Sequence, residues 1–194
     1  EVADAYDVFA AAGFDVDYVS PEGGHVPVYG QSNGSPAQAF ASNEERMGEL
    51  NQSLRPDEVD AARYEAIYYA GGHGVMWDFP ENAELARIAS SIYSAGGIVS
   101  AVCHGPAGLV NVLDETGAPL VSGKRIAAFT NDEERAVGHA EDVPFLLQSR
   151  LEGLGANVVT APNQEANVQV DGRLITGQNP ASATGVAERV VALL

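Results

Sequence analysis

Cysteine is nearly missing. Cys103 is the only one in 194 residues, which excludes an internal disulfide framework and a multi-cysteine zinc site. Lysine is as scarce: Lys124 stands alone among ten basic residues, against 27 acids. The formal charge of −17 leaves no basic footprint for nucleic-acid phosphates or for anionic lipid headgroups. Long apolar runs are also absent. The stretch 185–194 is broken by Glu188 and Arg189, so it cannot span a membrane, and no secretory signal pattern is visible. A cytoplasmic protein is expected. What is present is a 45% apolar composition, enough to rule out a disordered chain, in a length that suits one domain over 1–194. The acids are scattered along the chain, from Asp4 and Asp15 to Glu81 and Glu84, and form no tail. Such a chain repels itself, and salt relieves the repulsion. A salt-loaded cytoplasm is therefore the expected setting, with a genomic preference for Arg over Lys as the alternative.

The patterning alternates between helix and strand. Val2, Ala5, Tyr6 and Phe9 recur at helical spacing until Gly13 stops the run. Residues 14–19 alternate as a strand, and a polar stretch to about Ser42 reads as an ordered loop, followed by a short helix within 43–54. Residues 66–70 form a short apolar strand closed by Gly71-Gly72-His73-Gly74, with a helix over 82–95. A second apolar strand, 98–102, runs straight into Cys103-His104-Gly105-Pro106 and a helix through Val112. Further strands are expected at 125–129 and 157–160, helices at 143–154 and 183–194, and a hairpin around Asp171-Gly172. This alternation implies a mostly parallel sheet with helices on both faces, whose ligands sit at the carboxyl ends of the strands. Both glycine-rich turns fall at that edge. The chain opens on a helix where such folds open on a strand, so a first strand is expected to precede Glu1 in the natural protein.

Cys103 carries the chemical argument. On a tight turn between strand and helix, a side chain is pushed into a strained position above the sheet, and the helix N-terminus behind it favours thiolate. A buried, inert cysteine is the alternative. His104 is the neighbouring candidate base, or a structural turn residue. Glu133 and Glu134, after the strand at 125–129, could orient the imidazole, or could simply sit at an exposed helix N-terminus. The Gly71–Gly74 turn offers a second set of backbone donors. It is no phosphate loop, because no Lys-Ser/Thr follows. Trp77, with Met76 and Phe79, lines a pocket or packs in the core. His25, His73 and His139 lack the His-x3-His spacing of a helical metal site, and no metal is expected.

Together, Ala101-Val102-Cys103-His104-Gly105-Pro106, Gly71-Gly72-His73-Gly74 with Trp77-Asp78, and Gly177-Gln178-Asn179-Pro180-Ala181-Ser182 resemble the ThiJ/PfpI superfamily, in its heat-shock chaperone and glyoxalase III branch. The resemblance covers nearly the whole chain. It implies a flavodoxin-like, doubly wound α/β fold, shared with class I glutamine amidotransferase domains, and often a homodimer. It implies a triad of Cys103 as nucleophile, His104 as base and Glu134 as orienting acid. Oxyanion donors then fall on the amides of Gly72 and His104, beside Gly71, and His73, Trp77 and Asn179 are pocket candidates. The match Glu-Val-Ala-x-x-Tyr places at Glu1 a carboxyl that hydrogen-bonds the sulfur. The implied activity is conversion of methylglyoxal to D-lactate, or deglycation of glycated amines, without a cofactor. Alternatives of the same family are a stress chaperone, a redox sensor and a PfpI-like peptidase. A glutaminase fits less well, since the only late His-x-Glu pair, His139 and Glu141, precedes a helix far from the C-terminal strands.

Overall fold

The computed structural model describes residues 1–29 and 35–194. The chain opens with α1 (Val2–Ala11), closed by Gly13 at φ +83°. Two short helices follow, α2 (Pro36–Ala41) and α3 (Glu44–Leu50), capped by the side chains of Ser35 and Asn43. After 3-10 turns at Pro56–Glu58 and Ala61–Arg63 come β1 (Ala66–Tyr69), α4 (Val75–Asp78), α5 (Ala83–Ser94) and β2 (Ile98–Val102). Next are a 3-10 helix at Gly105–Leu109, β3 (Arg125–Ile126), α6 (Asn131–Val137), α7 (Leu147–Gly153) and β4 (Asn157–Val158). The chain ends with the hairpin β5 (Val168–Asp171) and β6 (Leu174–Gly177), a 3-10 turn at Pro180–Ser182 and α8 (Ala183–Leu193).

The main sheet has the order β1-β2-β6-β5, parallel except for the β5–β6 pair, and β3 pairs in parallel with β4. Flanked by helices, this is the mostly parallel α/β architecture the alternation predicts. All five residues of β2 are buried, as a central parallel strand requires. Helix α5 packs on β1 and β2, and α8 packs on β6, β2 and α1. The apolar core runs through Val99, Ala101, Leu109, Ile126, Leu151, Ile175 and Val186.

Several expected elements are shorter. Residues 14–19 ladder only at Val19, which bridges Leu54; Leu54 N–H donates to the Tyr18 carbonyl and Ser20 N–H to the Leu54 carbonyl. Alternation without a longer partner strand makes one bridge and no strand. The strand foreseen at 125–129 ladders only over its first two residues. Beyond them, Ala127 N–H is taken by the Thr176 hydroxyl and Phe129 N–H by the Cys103 carbonyl. The helix foreseen from Val143 starts at Leu147: Pro144 disfavours helix at Val143, and Leu146 is extended at φ −77°, ψ +117°. Helix α2 lies in the stretch read as loop, and residues 30–34 of that stretch lie outside the described residues.

Candidate active site

Strands β1 and β2 lie side by side and parallel, so the turns that follow them meet at one edge. Their approach is too close for side chains. A Cβ on Gly105 would stand 2.2 Å from the Tyr69 carbonyl oxygen. A Cβ on Gly71 would stand 2.6 Å from Glu1 Oε2 and 2.8 Å from His104 N. The glycines let the bend after β2 seat directly on the end of β1.

On that bend Cys103 takes φ +60°, a left-handed conformation costly for a residue with a Cβ. The backbone is held there from both sides. Cys103 N–H donates to the Gly177 carbonyl at 2.9 Å, and Phe129 N–H donates to the Cys103 carbonyl at 2.9 Å. Sγ lies 3.4 Å from His104 Nδ1. His104 Nε2 lies 2.7 Å from Glu134 Oε2, and the other oxygen of Glu134 lies 2.7 Å from His73 Nε2. Cys103 (4% exposed), His104 (1%) and Glu134 (2%) are all buried. Glu1 reaches the same place from α1: its Oε2 accepts from Gly71 N–H at 2.5 Å, and its carboxyl hydrogen-bonds the sulfur. The structure therefore brings together Cys103, His104, Glu134, Glu1, Gly71, Gly72 and His73.

The electrostatics differ from the expectation of a pre-ionised thiolate. Burial pushes the Cys103 thiol well above its ordinary range, and the Glu1 carboxyl beside it adds to the rise. Hydrogen bonds from the N–H groups of His104 and Gly72 pull the other way without overcoming burial. The helix expected to favour thiolate is a five-residue 3-10 helix, too short to build a substantial dipole. Burial likewise raises Glu1, and lowers His104 against the pull of Glu134. Burial thus favours the neutral ring of His104. With Nε2–H donated to Glu134, its Nδ1 lone pair faces the sulfur and can accept the thiol proton. Gly72 adopts φ +107°, open only to glycine, in presenting its N–H to the sulfur.

The two adjacent acids of α6 part ways. Thr130 caps the helix and exchanges hydrogen bonds with Glu133, the reciprocal arrangement of a capping box. Glu133 is fully buried and also accepts from Gln164 N–H and Asn179 Nδ2, each at 2.9 Å. Burial alone would raise it, but these donors hold its carboxyl below the ordinary range. Asn179, read as a pocket residue, thus serves Glu133 and the Glu165 carbonyl. Trp77 is neither core nor part of the hydrogen-bonded set: it is 51% exposed on α4, while Met76 beside it is buried and Phe79 packs edge-on against Tyr69. His25 bonds Asn51 at the end of α3, and His139 packs edge-on against His73 with ring centroids 4.7 Å apart. Among the described residues, one group of three side chains could ligate a metal: His73, His104 and Glu134, with donor atoms within 4.8 Å. In the structure both imidazoles bond the Glu134 carboxylate, one to each oxygen.

The model of the DJ-1/PfpI family matches residues 1–193. The chain belongs to the DJ-1/PfpI family. Within the family it is 33% identical over 204 residues to "Glyoxalase 3" of Candida albicans, covering 99% of this chain and 86% of that protein. It is 33% identical over 207 residues to "Glutathione-independent glyoxalase HSP31" of Saccharomyces cerevisiae, covering 98% and 86%. Among solved structures, it superposes on the Candida albicans glyoxalase III crystal structure with TM-score 0.85 at 29% identity, covering 98% and 86%. It superposes on the Rapid Encystment Protein 24 kDa of Francisella tularensis with TM-score 0.90 at 32% identity, covering 98% and 87%. The sequence motifs had pointed to this family. They had not pointed to the tie between Gly71 and Glu1, the buried work of Glu133, or the bond from His73 to Glu134, which joins residues 61 positions apart.

Proposed function

We propose that the protein is a glutathione-independent glyoxalase that converts methylglyoxal and water to D-lactate. One observation carries this reading: the hydrogen-bonded run from Cys103 through His104 to Glu134, on a chain one-third identical over nearly its whole length to relatives named as glyoxalases. Sγ of Cys103 adds to the aldehyde carbon as its proton passes to Nδ1 of His104. The N–H groups of Gly72 and His104 stabilise the alkoxide, which His104 protonates to the hemithioacetal. His104 or Glu1 then takes the proton from the former aldehyde carbon while the ketone oxygen is protonated, giving an enediol. The same proton returns to the neighbouring carbon as the hydroxyl on the sulfur-bearing carbon gives up its own proton and becomes the thioester carbonyl. The product is a lactyl thioester. Water cleaves it, releasing lactate and a proton and restoring the thiol.

Burial supports a small substrate. A thiol 4% exposed suits a three-carbon aldehyde better than a polypeptide, and better than the accessible thiol of a redox sensor. The reading has the chain working as one unit, as a homodimer in the cytoplasm; among the described residues, no helix is long and apolar enough to cross a membrane.

The test is D-lactate formation from methylglyoxal without added glutathione. The native protein is expected to form it, and Cys103→Ala to lose at least about a thousandfold in rate. Turnover that persists in Cys103→Ala defeats the reading.

A further inference from the structure

Glu134 is a buried carboxylate held from both ends: one oxygen meets His104 Nε2 and the other meets His73 Nε2, each at 2.7 Å. A catalytic orienting acid needs only the first of these. The second comes from the glycine-rich turn after β1, on a side chain 36% exposed whose ring lies against His104 with centroids 4.2 Å apart. We propose that His73 is a positioning residue for this site: by donating Nε2–H to the free oxygen of Glu134, it fixes the carboxylate in the orientation that keeps His104 in its Nε2–H tautomer with Nδ1 open to the sulfur. The inference rests on the glyoxalase reading for its role in turnover, and on geometry alone for its effect on His104.

Two physical consequences make His73 more than a filler. First, a buried carboxylate oxygen without a donor is strongly unfavourable, so without His73 the carboxylate rotates to share its oxygens or draws harder on His104. The imidazole of His104 then gains charge more readily, and a protonated Nδ1 cannot accept from Cys103. Second, His73 contributes to holding His104 neutral through its own field. The charged and titratable groups facing His73 are Glu134 on α6, His104 on the bend, and His139 beyond α6, whose Nδ1 bonds Asp142 at 2.9 Å. Glu133, the neighbour of Glu134, acts on His104 in the opposite sense to His73. Phe129 closes the apolar side, 6.1 Å from His73 and 4.3 Å from His104, ring to ring.

The experiment compares His73→Leu, which removes the donor, with His73→Gln, whose amide reaches about as far as Nε2, and His73→Asn, which is too short. Leu and Asn are expected to lower kcat about tenfold or more with KM within about twofold, and to move the acid limb of the pH profile upward. Gln is expected to recover most of the lost kcat and the native limb. The second measurement needs no substrate: nitrogen-15 histidine NMR of the folded proteins. It should show His104 as the Nε2–H tautomer in the native protein and in Gln, and a mixed or protonated His104 in Leu. Equal kcat and an unmoved limb in Leu overturn the proposal, as does an equal loss in Leu and Gln. If Leu does not fold, Asn and the NMR comparison decide. A native protein without glyoxalase activity removes the proposed function and leaves the NMR result to judge His73 alone.

Discussion

The Sγ of Cys103 lies 3.4 Å from Nδ1 of the very next residue, His104. Neighbours in a strand point to opposite faces, so this contact needs a departure from regular backbone. The departure is φ +60° at Cys103, with the glycine at 105 giving the bend room against Tyr69. A nucleophile and its base are thereby placed together by local geometry, and only the acid is recruited from a distance.

The pH dependence follows from the direction in which burial moves His104. An ordinary histidine becomes protonated near pH ~6.5, and His104 is held below that. The neutral ring, with Nδ1 free, is the working form. The acid limb of the activity is expected below the ordinary histidine value. A kcat/KM profile on methylglyoxal checks this, and a limb at or above the ordinary histidine value contradicts it. Because the thiol is raised by burial, its alkylation by iodoacetamide at neutral pH depends on the base. His104→Gln should slow that alkylation at least about tenfold.

The tight packing of the bend gives a stability prediction. Gly105→Ala sets a Cβ 2.2 Å from a backbone carbonyl, where no flexible side chain can yield. A loss of about 1–3 kcal/mol is expected, with a lower melting temperature. Gly48→Ala is the control. It lies within α3, and a Cβ there meets nothing within 4 Å. That change should leave stability unaltered or raise it by up to ~1 kcal/mol. Equal melting temperatures for the two variants contradict the role given to Gly105.

How much of this was legible without coordinates depends on the range of the interactions. Strand β2, helices α5 and α8, and the β5–β6 hairpin carry their signals within a dozen residues, and all appear where the patterning put them. Residues 14–19 carry a strand pattern too, but pattern alone does not supply a neighbour to ladder with. The strand at 125–129 is cut short because Thr176 and Cys103 claim its later amides. At the site, Cys103 and His104 were readable from the turn. Residue patterns could not separate Glu134 from Glu133, and only the family resemblance pointed to Glu134. The difference lies in what each acid meets: His104 for one, Thr130, Gln164 and Asn179 for the other.

Surface charge predicts a salt response. With 27 acids against ten basic residues, most acids have no cation available. Arg46, Arg55, Arg87, Lys124, Arg135 and Arg173 are already paired with acids. The remaining negative charge repels itself, and added ions shorten the reach of that repulsion from about 30 Å at 0.01 M to about 3 Å at 1 M. Thermal melting in low and in molar KCl should show a midpoint that rises with salt. A flat or falling midpoint removes the argument.

Glu133 offers a sharper test, because its charge is buried and fully engaged. Oε1 accepts from Gln164 N–H and Asn179 Nδ2, and Oε2 accepts from the N–H and hydroxyl of Thr130. Glu133→Gln keeps the shape but replaces one oxygen with an NH2. Whichever way the amide turns, that NH2 faces donors. A loss of about 1–3 kcal/mol at pH 7 is expected. The sign of its pH dependence is set by the depressed carboxyl. Its contribution is complete above the unfolded value of ~4.3 and is lost as pH falls through the lower folded value. Denaturant unfolding of both proteins from pH 7 to pH 3 should therefore show a gap that is widest at pH 7 and narrows below pH ~4. A gap of constant size assigns the effect to shape, and no gap at pH 7 means the buried charge contributes nothing to the fold.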